Sequence, residues 1–599
     1  MEEKPLIVKC SRIGKKMIYS VSFEYNINLI EKIKKLESED RKWNSVDYLW
    51  ELSIKGLFLL INSYKKSDKL FFDFGGEENK IKFLKLVESE RRKELKIRQD
   101  KELLEKNKIE WDLYKKELEL NYNKHSEKLH SLLKPGVKLY PHQIIATMFI
   151  DKIRRGLISH EMGLGKTIIS ILFSELNNFK KVVVITPNSL KFNFYNEVKK
   201  FTNSKVHIVN WKKNEYTIED SRYVILNYEF FNSTDFKKAK EKWDSLGLKN
   251  IDALIADECQ RLKNSKSNTY KNYKKIFSEK IFNNEPIKVF LSGTPSPNRA
   301  YELYNVLNQI SPIEFKRKKD FYEYYCGMYY DMWSGWGYVT NTEEQKFEEL
   351  YEKISPYMHR KRKAEVLTDL PDKTFQKVLL DMNKNEEKRY LEIEKSTADE
   401  VEEITPKPHH LSILMELRKY LSNLKKEKIV DIINDIIDTG EKVVIIDFFK
   451  ESLRNLHREF GDISVIHTGD QSVEERQSAV SKFQDENSNK KVFLGSTDVT
   501  KEGLTLTASN KMFLLTLPFV PGVYDQITDR LHRIGQKNAV NIYIPIFENT
   551  IDLLTLQLID DKKTELSVVM DNEVYVNNMK KDFIGNVFKY LKKKYNEKK

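Results

Sequence analysis

The stretch of the sequence that most restricts the possible folds is residues 156–170, GLISHEMGLGKTIIS. An apolar run leads into a glycine-rich turn, and Lys166 and Thr167 then begin a helix with apolar periodicity. Glycines allow backbone N–H groups to close around anionic oxygens, and the following helix presents the positive end of its dipole to them. A lysine in this place can reach the β- and γ-phosphates of a nucleotide, and the hydroxyl after it can ligate Mg²⁺. The stretch therefore predicts a phosphate-binding loop for ATP and Mg²⁺ at a strand-to-helix junction.

The loop departs from the usual form, which has two widely spaced glycines, because His160 stands where the first would be. Taken alone, GLGKT could be a tight turn before a basic helix, so the neighbouring motifs decide between the two interpretations. With those motifs, the predicted nucleotide-contacting residues of the loop are His160, Glu161, Met162, Gly163, Leu164, Gly165, Lys166 and Thr167.

A second candidate motif is the acidic pair Asp257-Glu258, which directly follows an apolar run at 251–256. Where an acid pair leaves a buried strand, the first carboxylate can bind Mg²⁺ and the second can polarise the attacking water. An Asp-Glu pair by itself is usually a solvated loop, but this one ends an apolar strand downstream of the phosphate loop. We therefore predict Thr167 and Asp257 as metal ligands, and Lys166, Asp257 and Glu258 as catalytic residues.

Upstream of the loop, the sequence LYPHQ ends in Gln143. A glutamine amide offers a donor and an acceptor, which suits the edge of adenine, although a single glutamine could equally be an ordinary surface amide. We predict that Gln143 contacts the nucleotide.

Short apolar runs alternate with helical patterns in two regions of the chain, which is typical of buried parallel strands in doubly wound sheets. The runs lie at 182–185, 224–226, 253–256 and 289–291, and again at 443–447, 464–467, 492–494, 512–516 and 541–546. Ligands of such sheets bind at the carboxyl ends of the strands, where the motifs fall. The predicted fold class is α/β, with two RecA-like doubly wound parallel-sheet lobes, helical insertions, and a small α+β amino-terminal module followed by a long charged helix.

Together the motifs resemble the Swi/Snf (sucrose-non-fermenting) family of superfamily-two helicase-like DNA translocases. The resemblance rests on GLGKT, on DECQ followed by RLKN, on LSGTP at 291–295, and on QITDRLHRIGQ at 526–536. It covers about residues 137–570 and implies a DNA-stimulated ATP hydrolase. By the same resemblance, Gln260 bonds toward the γ-phosphate or the LSGTP motif. His160 in place of an aspartate, and Cys259-Gln260 in place of Gly-His, are departures that leave the predicted catalytic residues unchanged.

Arg530 and Arg533 lie three residues apart, so a helix would place both on one face. Closure of the two lobes would then aim both guanidiniums at the γ-phosphate across the cleft. An arginine finger of this kind is worth roughly 10³–10⁵ in rate in other phosphoryl-transfer enzymes. Two arginines on a solvated helix would not explain the whole HRIGQ signature. We predict that both arginines bind the nucleotide and take part in catalysis.

The resemblance also implies residues that contact DNA or connect it to the nucleotide. Residues 184–201 (VITPNSLKFNFYNEVKKF) look like the family's motif Ia, 467–470 (HTGD) like its fourth-region motif, and 496–506 (STDVTKEGLTL) like its motif V. The hydroxyls of LSGTP suit a relay between nucleotide and DNA, although an ordinary turn could have the same sequence. The predicted DNA-binding residues are Pro187, Asn188, Ser189, Lys191, Ser292, Thr294, Thr468, Gly469, Ser496 and Thr497, and motif V adds Gly503 to the nucleotide site.

Residues 17–62 begin with strand-like alternation and continue with a helical pattern. The stretch SFEYNINLIEKIK, with RKWN and a later tryptophan, resembles the small HARP-type module of annealing helicases, which implies recognition of branched or forked DNA. Trp43 and Trp50 could stack on bases, but such tryptophans more often form a small core.

Residues 77–130 carry dense charges of both signs without Gly or Pro, and predict one or two long helices of up to ~80 Å.

Residues 312–425 are basic and aromatic. Their Tyr- and Trp-rich run at 322–338 could contact nucleic acid or pack inside an inserted protrusion, and the basic triplet at 360–362 resembles the family's arginine-rich element before the second lobe. The predicted domains are a HARP-like DNA-substrate module (1–76), a charged helical spacer (77–134), an ATP-binding lobe (135–311), a helical and aromatic protrusion with a linker (312–425), a carboxyl-terminal helicase lobe (426–570) and a basic tail (571–599).

Composition adds fewer constraints. The formal net charge of +13, from 103 basic and 90 acidic residues, fits a polyanionic partner and a Lys-rich coding bias about equally well. Three widely separated cysteines exclude a zinc ribbon and a disulfide framework and fit a reducing compartment. The charged amino terminus is unlike a signal peptide, and no apolar run reaches the ~20 residues of a membrane span. We therefore expect a soluble intracellular protein of the cytoplasm, nucleoid or nucleus, without a membrane partner.

The sequence favours an ATP-dependent translocase that moves on duplex or forked DNA as a monomer. It would remodel or reanneal that DNA in repair, replication or recombination, with contacts mostly to backbone phosphates. Two alternatives stay open at this point. One is a conventional strand-separating DNA or RNA helicase, and the other is a nucleotide-gated DNA clamp with little turnover.

Overall fold

The structure is a computed structural model of the chain, in which two compact units comprise residues 1–108 and 109–599. It describes residues 6–571 except 14–15, 23–26, 35, 37–39, 46, 64–69, 75–76, 210–217, 219, 249, 279–281, 283–284, 332–334, 339–345, 368–369, 400–407 and 502–503. The predicted basic tail beyond residue 571 and the predicted nucleotide residue Gly503 lie outside this description. Across the described residues, none of the helices has the length and apolar character that a membrane crossing requires.

The first unit contains a small α+β module built on a five-stranded sheet. Its elements are β1 (Leu6–Ile13), β2 (Lys16–Ser22), α1 (Ile27–Lys34), β3 (Arg41–Asn44), β4 (Leu49–Leu52), α2 (Ile54–Ser63) and β5 (Leu70–Asp73). The strand order is β3-β4-β2-β1-β5, with β1 and β5 parallel and the other described pairs antiparallel.

The two tryptophans of this module have different environments. Trp50 is buried in the core between sheet and helices, together with Tyr19 and Val21. Trp43 is its cross-strand neighbour, with the two rings 5.1 Å apart, but remains 46% exposed. Trp50 is therefore a core residue, and Trp43 is a surface residue.

A long charged helix, α3 (Glu77–Asn121), is followed by the shorter α4 (Asn123–Ser131). Opposite charges four residues apart pair along α3, as in Arg92 with Glu88. Phe83 near its start packs in the core of the first unit, and Leu118 near its end packs in the core of the second. The prediction of a long charged helix after the small module is confirmed.

The first lobe of the second unit is built from parallel strands and the helices that connect them. Its elements are α5 (Pro141–Ile153), β6 (Arg155–Ile158), α6 (Lys166–Leu176), β7 (Val182–Thr186), α7 (Lys191–Phe201), β8 (Val206–Ile208), β9 (Tyr223–Asn227), α8 (Phe236–Ser245), β10 (Ala253–Asp257), α9 (Asn268–Ser278), β11 (Ile287–Leu291) and α10 (Tyr304–Ile310). Strands β7, β9 and β10 are buried along their whole length, which explains their continuous apolar runs.

A protrusion with an aromatic core follows the first lobe. Its elements and those of the linker after it are α11 (Lys318–Asp320), β12 (Met328–Asp331), β13 (Gly335–Tyr338), α12 (Phe347–Ile354), β14 (Met358–His359) and α13 (Lys363–Val366). Strands β12 and β13 form an antiparallel hairpin in addition to the predicted helices. Phe321 and Tyr322 pack against Tyr304, so this part of the aromatic run is packing. The side chains of the run from 329 onward lie outside the description.

Strand β14 returns to the first lobe and pairs in parallel with β6, the strand that leads into the phosphate loop. The sheet order is β14-β6-β11-β10-β7-β9-β8, and all of its described pairs are parallel. The sheet thus takes in residues outside the range 135–311 that the sequence predicts for this lobe. A strand of two residues is too short to be recognised as an apolar run.

The second lobe has a six-stranded sheet of its own. Its elements are β15 (Lys373–Leu380), α14 (Lys384–Asp399), α15 (Pro408–Lys428), α16 (Val430–Asp438), β16 (Val443–Asp447), α17 (Lys450–Phe460), β17 (Ser464–His467), α18 (Val473–Gln484), β18 (Val492–Ser496), α19 (Thr497–Thr500), β19 (Lys511–Leu514), α20 (Pro521–Thr528), β20 (Val540–Phe547) and α21 (Ile551–Asp571). The order is β15-β20-β19-β16-β18-β17, with all described pairs parallel. The predicted fold class, with two parallel-sheet lobes, is confirmed.

The last helix, α21, begins in the second lobe and ends against the first. Lys562 Nζ donates to Asn298 Oδ1 at 2.6 Å. At the end of the helix, Asp571 accepts two hydrogen bonds from the guanidinium of Arg360, of which the Nη2–Oδ2 bond is 2.9 Å long. The helix therefore connects the two lobes on the side of the protrusion and linker.

Candidate functional site

The phosphate loop joins β6 to α6 through a backbone path that requires glycine. Gly163 has φ +86° and Gly165 has φ +78°, in the left-handed region that glycine adopts without steric cost. A Cβ atom on Gly165 would lie 2.4 Å from Nε2 of Gln143, so the loop is also closely packed from behind. Helix α6 begins at Lys166, and its first two residues line the adjacent cleft.

The ammonium of Lys166 is held at the entrance of the loop. Its Nζ donates to the carbonyl oxygens of His160 at 3.0 Å and Glu161 at 3.3 Å. Burial lowers the pKa of Lys166 from its usual value, and the carboxylates of Glu258 and Asp257 oppose this shift. The lysine therefore faces the acid pair within one polar site.

The acid pair stands at the carboxyl end of β10. The Thr186 hydroxyl donates to Asp257 Oδ2 at 3.0 Å, and the Tyr228 hydroxyl donates to the Asp257 carbonyl at 2.7 Å. Glu258 has φ +51°, a left-handed conformation that costs a non-glycine residue about 1–3 kcal/mol and is concentrated at functional sites.

Burial raises the pKa of Asp257 to about 7, and the neighbouring charge of Glu258 adds to the effect. The Thr186 hydrogen bond and the charge of Lys166 oppose it. A divalent cation beside Asp257 would favour its ionised form, because an opposite charge lowers the pKa of a carboxyl group.

Arg530 and Arg533 belong to the second lobe and lie in the turns after α20, which ends at Thr528. The sequence predicts that a single helix carries both arginines, and here the structure differs. A backbone hydrogen bond from Arg530 N to the carbonyl of Ile527, only three residues back, tightens the chain into turns at this point. Both side chains nevertheless line the cleft.

The two arginines meet the phosphate loop across the cleft. Arg530 Nη2 lies 3.8 Å from Sδ of Met162, and Arg533 Cγ lies 3.8 Å from the Cβ position of Gly163. Within its own lobe, Arg533 donates to Thr505 Oγ1 at 3.3 Å. The lobes are therefore already in contact at the loop.

A chain of hydrogen bonds leads from Glu258 to the second lobe. Gln260 Nε2 donates to Glu258 Oε2 at 2.6 Å, and Gln260 Oε1 accepts from Ser292 Oγ at 2.7 Å. The Ser292 hydroxyl accepts from the Thr294 backbone N–H at 3.0 Å, and Thr294 Oγ1 accepts from Gln526 Nε2 at 3.2 Å. The chain links the predicted water-activating group to the segment that carries the arginines.

Gln143 and Glu161 support the loop from outside the cleft. Gln143 Oε1 accepts from the Tyr140 N–H at 3.0 Å, and its Nε2 donates to the Leu164 carbonyl at 3.4 Å. The Glu161 carboxylate accepts from the backbone N–H of Lys363 in the linker at 2.9 Å. The nucleotide contacts predicted for Gln143, His160, Glu161 and Leu164 stay predictions, since none of these side chains is among those lining the cleft.

Beneath the loop lie three buried histidines, a cluster that sequence spacing does not reveal. His160 Nε2 and His359 Nδ1 are 2.6 Å apart, and His142 Nε2 lies 3.0 Å from the Leu164 carbonyl. Burial lowers the pKa of all three imidazoles, and those of His160 and His359 fall well below the usual value. His160, which stands where the family has an aspartate, therefore forms a neutral pair with His359 of the linker.

The predicted DNA-binding residues fall into two groups. Exposed or partly exposed are Asn188, Ser189, Lys191, Thr294 and Gly469. Buried are Pro187, Ser292, Thr468, Ser496 and Thr497. Burial separates the second group from the surface in this arrangement, and the DNA contacts of both groups stay predictions.

The cleft between the lobes has a volume of about 300 Å³. Among the predicted site residues, those lining it are Met162, Gly163, Gly165, Lys166, Thr167, Asp257, Glu258, Gln260, Arg530 and Arg533. Seven further lining residues lie inside motifs identified in the sequence but were not among the predicted site residues: Leu190, Asn193, Glu197, Arg261, Lys501, Thr505 and Gln526. The four-residue spacing of Asn193 and Glu197 on α7 is the signal that could have identified those two.

The cleft suits Mg²⁺ bound together with a nucleotide. In the described part of the chain, no group of three or more His, Cys, Asp or Glu side chains is arranged to hold a metal ion. Mg²⁺ usually keeps several waters and binds one or two carboxylates together with substrate phosphates. The buried Asp257 carboxylate and the Thr167 hydroxyl, facing a phosphate loop, are the protein groups that such a site needs.

Comparison with protein families assigns more than half of the chain, because residues 44–426 match the SNF2-related domain. The chain belongs to the SNF2-related family. Residues 424–535 of this SNF2-related chain match the helicase conserved C-terminal domain. The chain therefore matches both domain models, and the resemblance to the Swi/Snf family is confirmed.

Similar curated proteins include an uncharacterized ATP-dependent helicase of Mycoplasma pneumoniae, 26% identical over 450 residues. In humans, the DNA annealing helicase and endonuclease ZRANB3 is 25% identical over 446 residues, and the SWI/SNF-related matrix-associated actin-dependent regulator of chromatin subfamily A member 1 is 26% identical over 447. The alignments cover 70%, 71% and 66% of the SNF2-related chain, respectively, and 40% of each relative. The chain thus spans less than half of the length of these relatives.

Among solved structures, the comparison finds the Sulfolobus solfataricus SWI2/SNF2 ATPase core in complex with dsDNA. It is 23% identical in sequence, has a TM-score of 0.35, and the match covers 74% of the SNF2-related chain and 95% of that structure.

Proposed function

We propose that the protein is a DNA-dependent ATP hydrolase that translocates on duplex or forked DNA. One observation carries the proposal: the phosphate loop and acid pair of the first lobe line the same cleft as two arginines of the second. Family membership supports it, because relatives of this chain include ATP-dependent and annealing helicases.

In this proposal, Lys166 and the loop N–H groups hold the phosphates, and Glu258 orients the attacking water and accepts its proton. Thr167 and Asp257 would hold Mg²⁺, which would supply neutralisation of the negative charge on the nucleotide phosphates. Arg530 and Arg533 stabilise the negative charge that develops on the side of the second lobe. Phosphoryl transfer depends mainly on positioning and electrostatic stabilisation, which side chains at the ends of two rigid sheets can supply.

Hydrolysis is coupled to movement through the contacts between the lobes. The hydrogen-bonded chain from Glu258 to Gln526 ends on the segment that carries both arginines. Glu258 and Gln526, at the two ends of this hydrogen-bonded series, both line the cleft, so loss of a bound γ-phosphate would change the contacts at both ends and let the second lobe shift. Each cycle then moves one lobe along the DNA backbone.

The DNA path follows the carboxyl ends of the strands, where ligands of parallel sheets bind. Asn188 and Ser189 after β7 and Gly469 after β17 are exposed there. Short polar side chains and backbone N–H groups of this kind bind phosphates without reading base sequence. We expect sequence-independent binding by a monomer.

The amino-terminal module recognises branched DNA in this proposal. Trp43 is 46% exposed, and the side chain of the adjacent Lys42 is 78% exposed. An exposed aromatic ring can stack on an unpaired base, and the lysine, on the opposite face of the strand, can attract the phosphate backbone. Such a module would direct the motor to forks, where remodelling or reannealing serves repair, replication or recombination.

Steady-state ATP hydrolysis without nucleic acid, and with single strands, duplex, forked DNA or RNA, tests the proposal. Lys166→Ala should reduce the stimulated rate by at least about 100-fold, because it removes the cation that contacts the phosphates. Lys238→Ala, an exposed lysine on α8 of the same lobe, is the matched control and should retain full activity. Circular dichroism establishes that both variants are folded.

The choice of stimulating nucleic acid separates the proposal from its alternatives. Strong stimulation by forked or duplex DNA supports the translocase. Stimulation by RNA or single strands alone would indicate a conventional helicase. Tight DNA binding without turnover on any nucleic acid would contradict the motor and leave a nucleotide-gated clamp.

A further inference from the structure

Lys363, in the linker, contacts both lobes beside the cleft. Its backbone N–H donates to a carboxylate oxygen of Glu161, in the phosphate loop, at 2.9 Å. Its Nζ donates to the carbonyl oxygen of His532 at 2.9 Å and lies 2.8 Å from Asp529 Oδ2. A single residue therefore joins the phosphate loop to residues 529–533, the arginine turns, which carry both arginines of the cleft.

The contacts of Lys363 hold the arginine turns at both ends. Its ammonium bonds to the side chain of Asp529 at the start and to the carbonyl of His532 near the end. Between these points, the Asp529 carbonyl accepts from Arg533 Nε at 3.1 Å. The Cε atom of Lys363 lies 3.9 Å from the Cβ position of Gly163, and Arg533 Cγ lies 3.8 Å from it. The lysine and the arginine thus approach the same point of the phosphate loop.

The Asp529 carboxylate is buried and shared by two lysines. Lys373 Nζ lies 2.9 Å from Oδ1, the oxygen that Lys363 does not contact. Burial favours the protonated carboxyl group, but the charges and hydrogen bonds of the two lysines outweigh burial and lower the pKa of Asp529. The side chains of Lys363 and Asp529 are only 6% and 8% exposed. Because a buried charge is strongly destabilising without its partner, the linker and the arginine turns resist separation.

The two lysines differ in the elements that they connect. Lys373 begins β15, a strand of the second lobe's own sheet, so its bond to Asp529 stays within that lobe. Lys363 is bonded through its backbone to Glu161 of the first lobe. Its bond to Asp529 therefore connects the two lobes, whereas the bond of Lys373 supports the arginine turns from one side.

We propose that Lys363 is a positioning residue for Arg530 and Arg533. Its ammonium ties the arginine turns to the phosphate loop, so that both guanidiniums enter the cleft at a fixed distance from the loop. Such placement matters because a displacement of about 1 Å can cost 100-fold in rate. The proposal rests on the proposed function, since it presumes that both arginines act on ATP in this cleft.

Lys363→Met in the full-length protein tests the proposal, because it removes the ammonium but keeps a long side chain and the backbone N–H that binds Glu161. On forked DNA, kcat for ATP hydrolysis should fall about 10–100-fold, while KM for ATP stays within about threefold of wild type. Lys373→Met is the matched control. It removes the other ion pair of the same carboxylate, leaves the linker untouched, and should keep kcat within about threefold.

Ligand binding measures positioning without turnover. Affinity of Lys363→Met for a fluorescent, non-hydrolysable ATP analogue should stay within about threefold of wild type, because the phosphate loop is unchanged. ADP with aluminium fluoride mimics the phosphoryl group during transfer, and its affinity should fall by about the same factor as kcat, since the arginines contribute mainly in the transition state. An equal loss of affinity for both ligands would indicate general damage to the site and overturn the proposal.

A mutant cycle shows whether Lys363 acts through the arginines. In a variant that carries both Arg530→Ala and Arg533→Ala, adding Lys363→Met should weaken binding of ADP with aluminium fluoride by less than about twofold, because no guanidinium remains to be positioned. A further loss as large as that in the wild-type background would contradict the proposal.

Circular dichroism and urea denaturation establish which variants are folded. If Lys363→Met does not fold, Lys363→Gln replaces it, because its neutral amide can still donate a hydrogen bond to Asp529. It should lower kcat in the same way by about 3–10-fold. An unchanged kcat in a folded Lys363 variant, or an equal fall in Lys373→Met, would overturn the proposal. Absence of DNA-stimulated hydrolysis in the wild type would instead contradict the proposed function, and this inference with it.

Discussion

At the scale of single residues, Gln260 joins the acid pair to the LSGTP motif. Its amide donates to Glu258 and accepts from Ser292. Gln260→Ala removes both bonds and should lower the DNA-stimulated kcat by about 10–100-fold, because Glu258 loses the partner that orients it. Affinity for a fluorescent, non-hydrolysable ATP analogue should change little. Gln376→Ala, at an exposed position of β15, is the matched control, and an unchanged kcat in Gln260→Ala would contradict the expectation.

The substitution Gly165→Ala tests how closely the phosphate loop is packed. Ala in its place would carry a left-handed φ of +78° and a Cβ atom 2.4 Å from Gln143 Nε2. Gly247 offers a matched control, because its φ of +65° is also left-handed but nothing lies within 4 Å of its Cβ position. Both Ala variants should lose about 1–2 kcal/mol of folding stability, because alanine is strained in the left-handed conformation. Gly165→Ala alone should also lose nucleotide binding, which equilibrium binding of the analogue measures.

The buried histidine pair predicts how stability depends on pH. His160 and His359 have folded-state pKa values well below the usual one because burial disfavours the charged imidazole, and Lys361 adds repulsion. The unfolded chain takes up protons at these rings below a pKa of about 6.5, whereas the folded chain does not. The unfolded state therefore binds more protons, and stability falls as the pH drops below about 6.5.

Urea denaturation at pH 7.5, 6.5 and 5.5 measures this loss. Each buried histidine contributes up to about 1.4 kcal/mol per pH unit. His359→Leu should reduce the pH dependence, and His125→Leu, outside the cluster, should not. An identical pH dependence in wild type and His359→Leu would show that the pair does not titrate in this way.

Residues of the site could be predicted from sequence where chemistry restricts their spacing. The phosphate loop, the acid pair and the two arginines each lie within one short motif, and residues of each motif line the cleft. The pairing of His359 with His160 could not be predicted, because the two residues belong to distant segments. His160 and His359 are 199 positions apart.

At the scale of elements, the ion pair of Arg360 and Asp571 joins the linker to the end of α21. The side chains are 17% and 13% exposed, and Arg360 also donates to the Ser159 carbonyl at 3.2 Å. Arg360→Ala should make opening of the last turn of α21 easier by about 1.5–3 kcal/mol, the usual range for a hydrogen bond to a charged group.

Hydrogen exchange of the amides at 565–571 measures that opening, and Arg360→Ala should accelerate exchange by about 10–100-fold. Arg362→Ala is a neighbouring control, because Arg362 bonds to Glu365 within the linker. Unchanged exchange in Arg360→Ala would mean that other contacts hold the helix end.

Strands could be predicted from the sequence where all of their residues are buried and therefore apolar. Strands β7, β9 and β10 are buried throughout, so each appears in the sequence as an apolar run. Strand β15 is an edge strand with mostly exposed residues, and β14 is two residues long, so neither has such a run. The turns that carry Arg530 and Arg533 likewise depend on tertiary contacts that override the helical spacing.

At the scale of the whole molecule, the proposed path over exposed loops predicts binding to DNA that depends strongly on salt. A protein making 6–10 phosphate contacts loses roughly 10³–10⁵ in affinity between 50 and 200 mM salt. We expect a loss in this range for forked DNA, with affinities for unrelated duplex sequences equal within about threefold. Fluorescence anisotropy measures both quantities. A shallow dependence on salt combined with strong sequence preference would contradict backbone recognition.

The position of β14 at the edge of the first sheet also bears on how this chain is synthesised. Strand β6 is made early, but its outer neighbour, Met358–His359, leaves the ribosome about 200 residues later. Until then the nascent first lobe presents the open edge of a parallel sheet, the kind of surface to which other chains add. A fragment ending at residue 311 would retain that open edge permanently, so truncated forms of this chain should aggregate during expression unless they extend past His359.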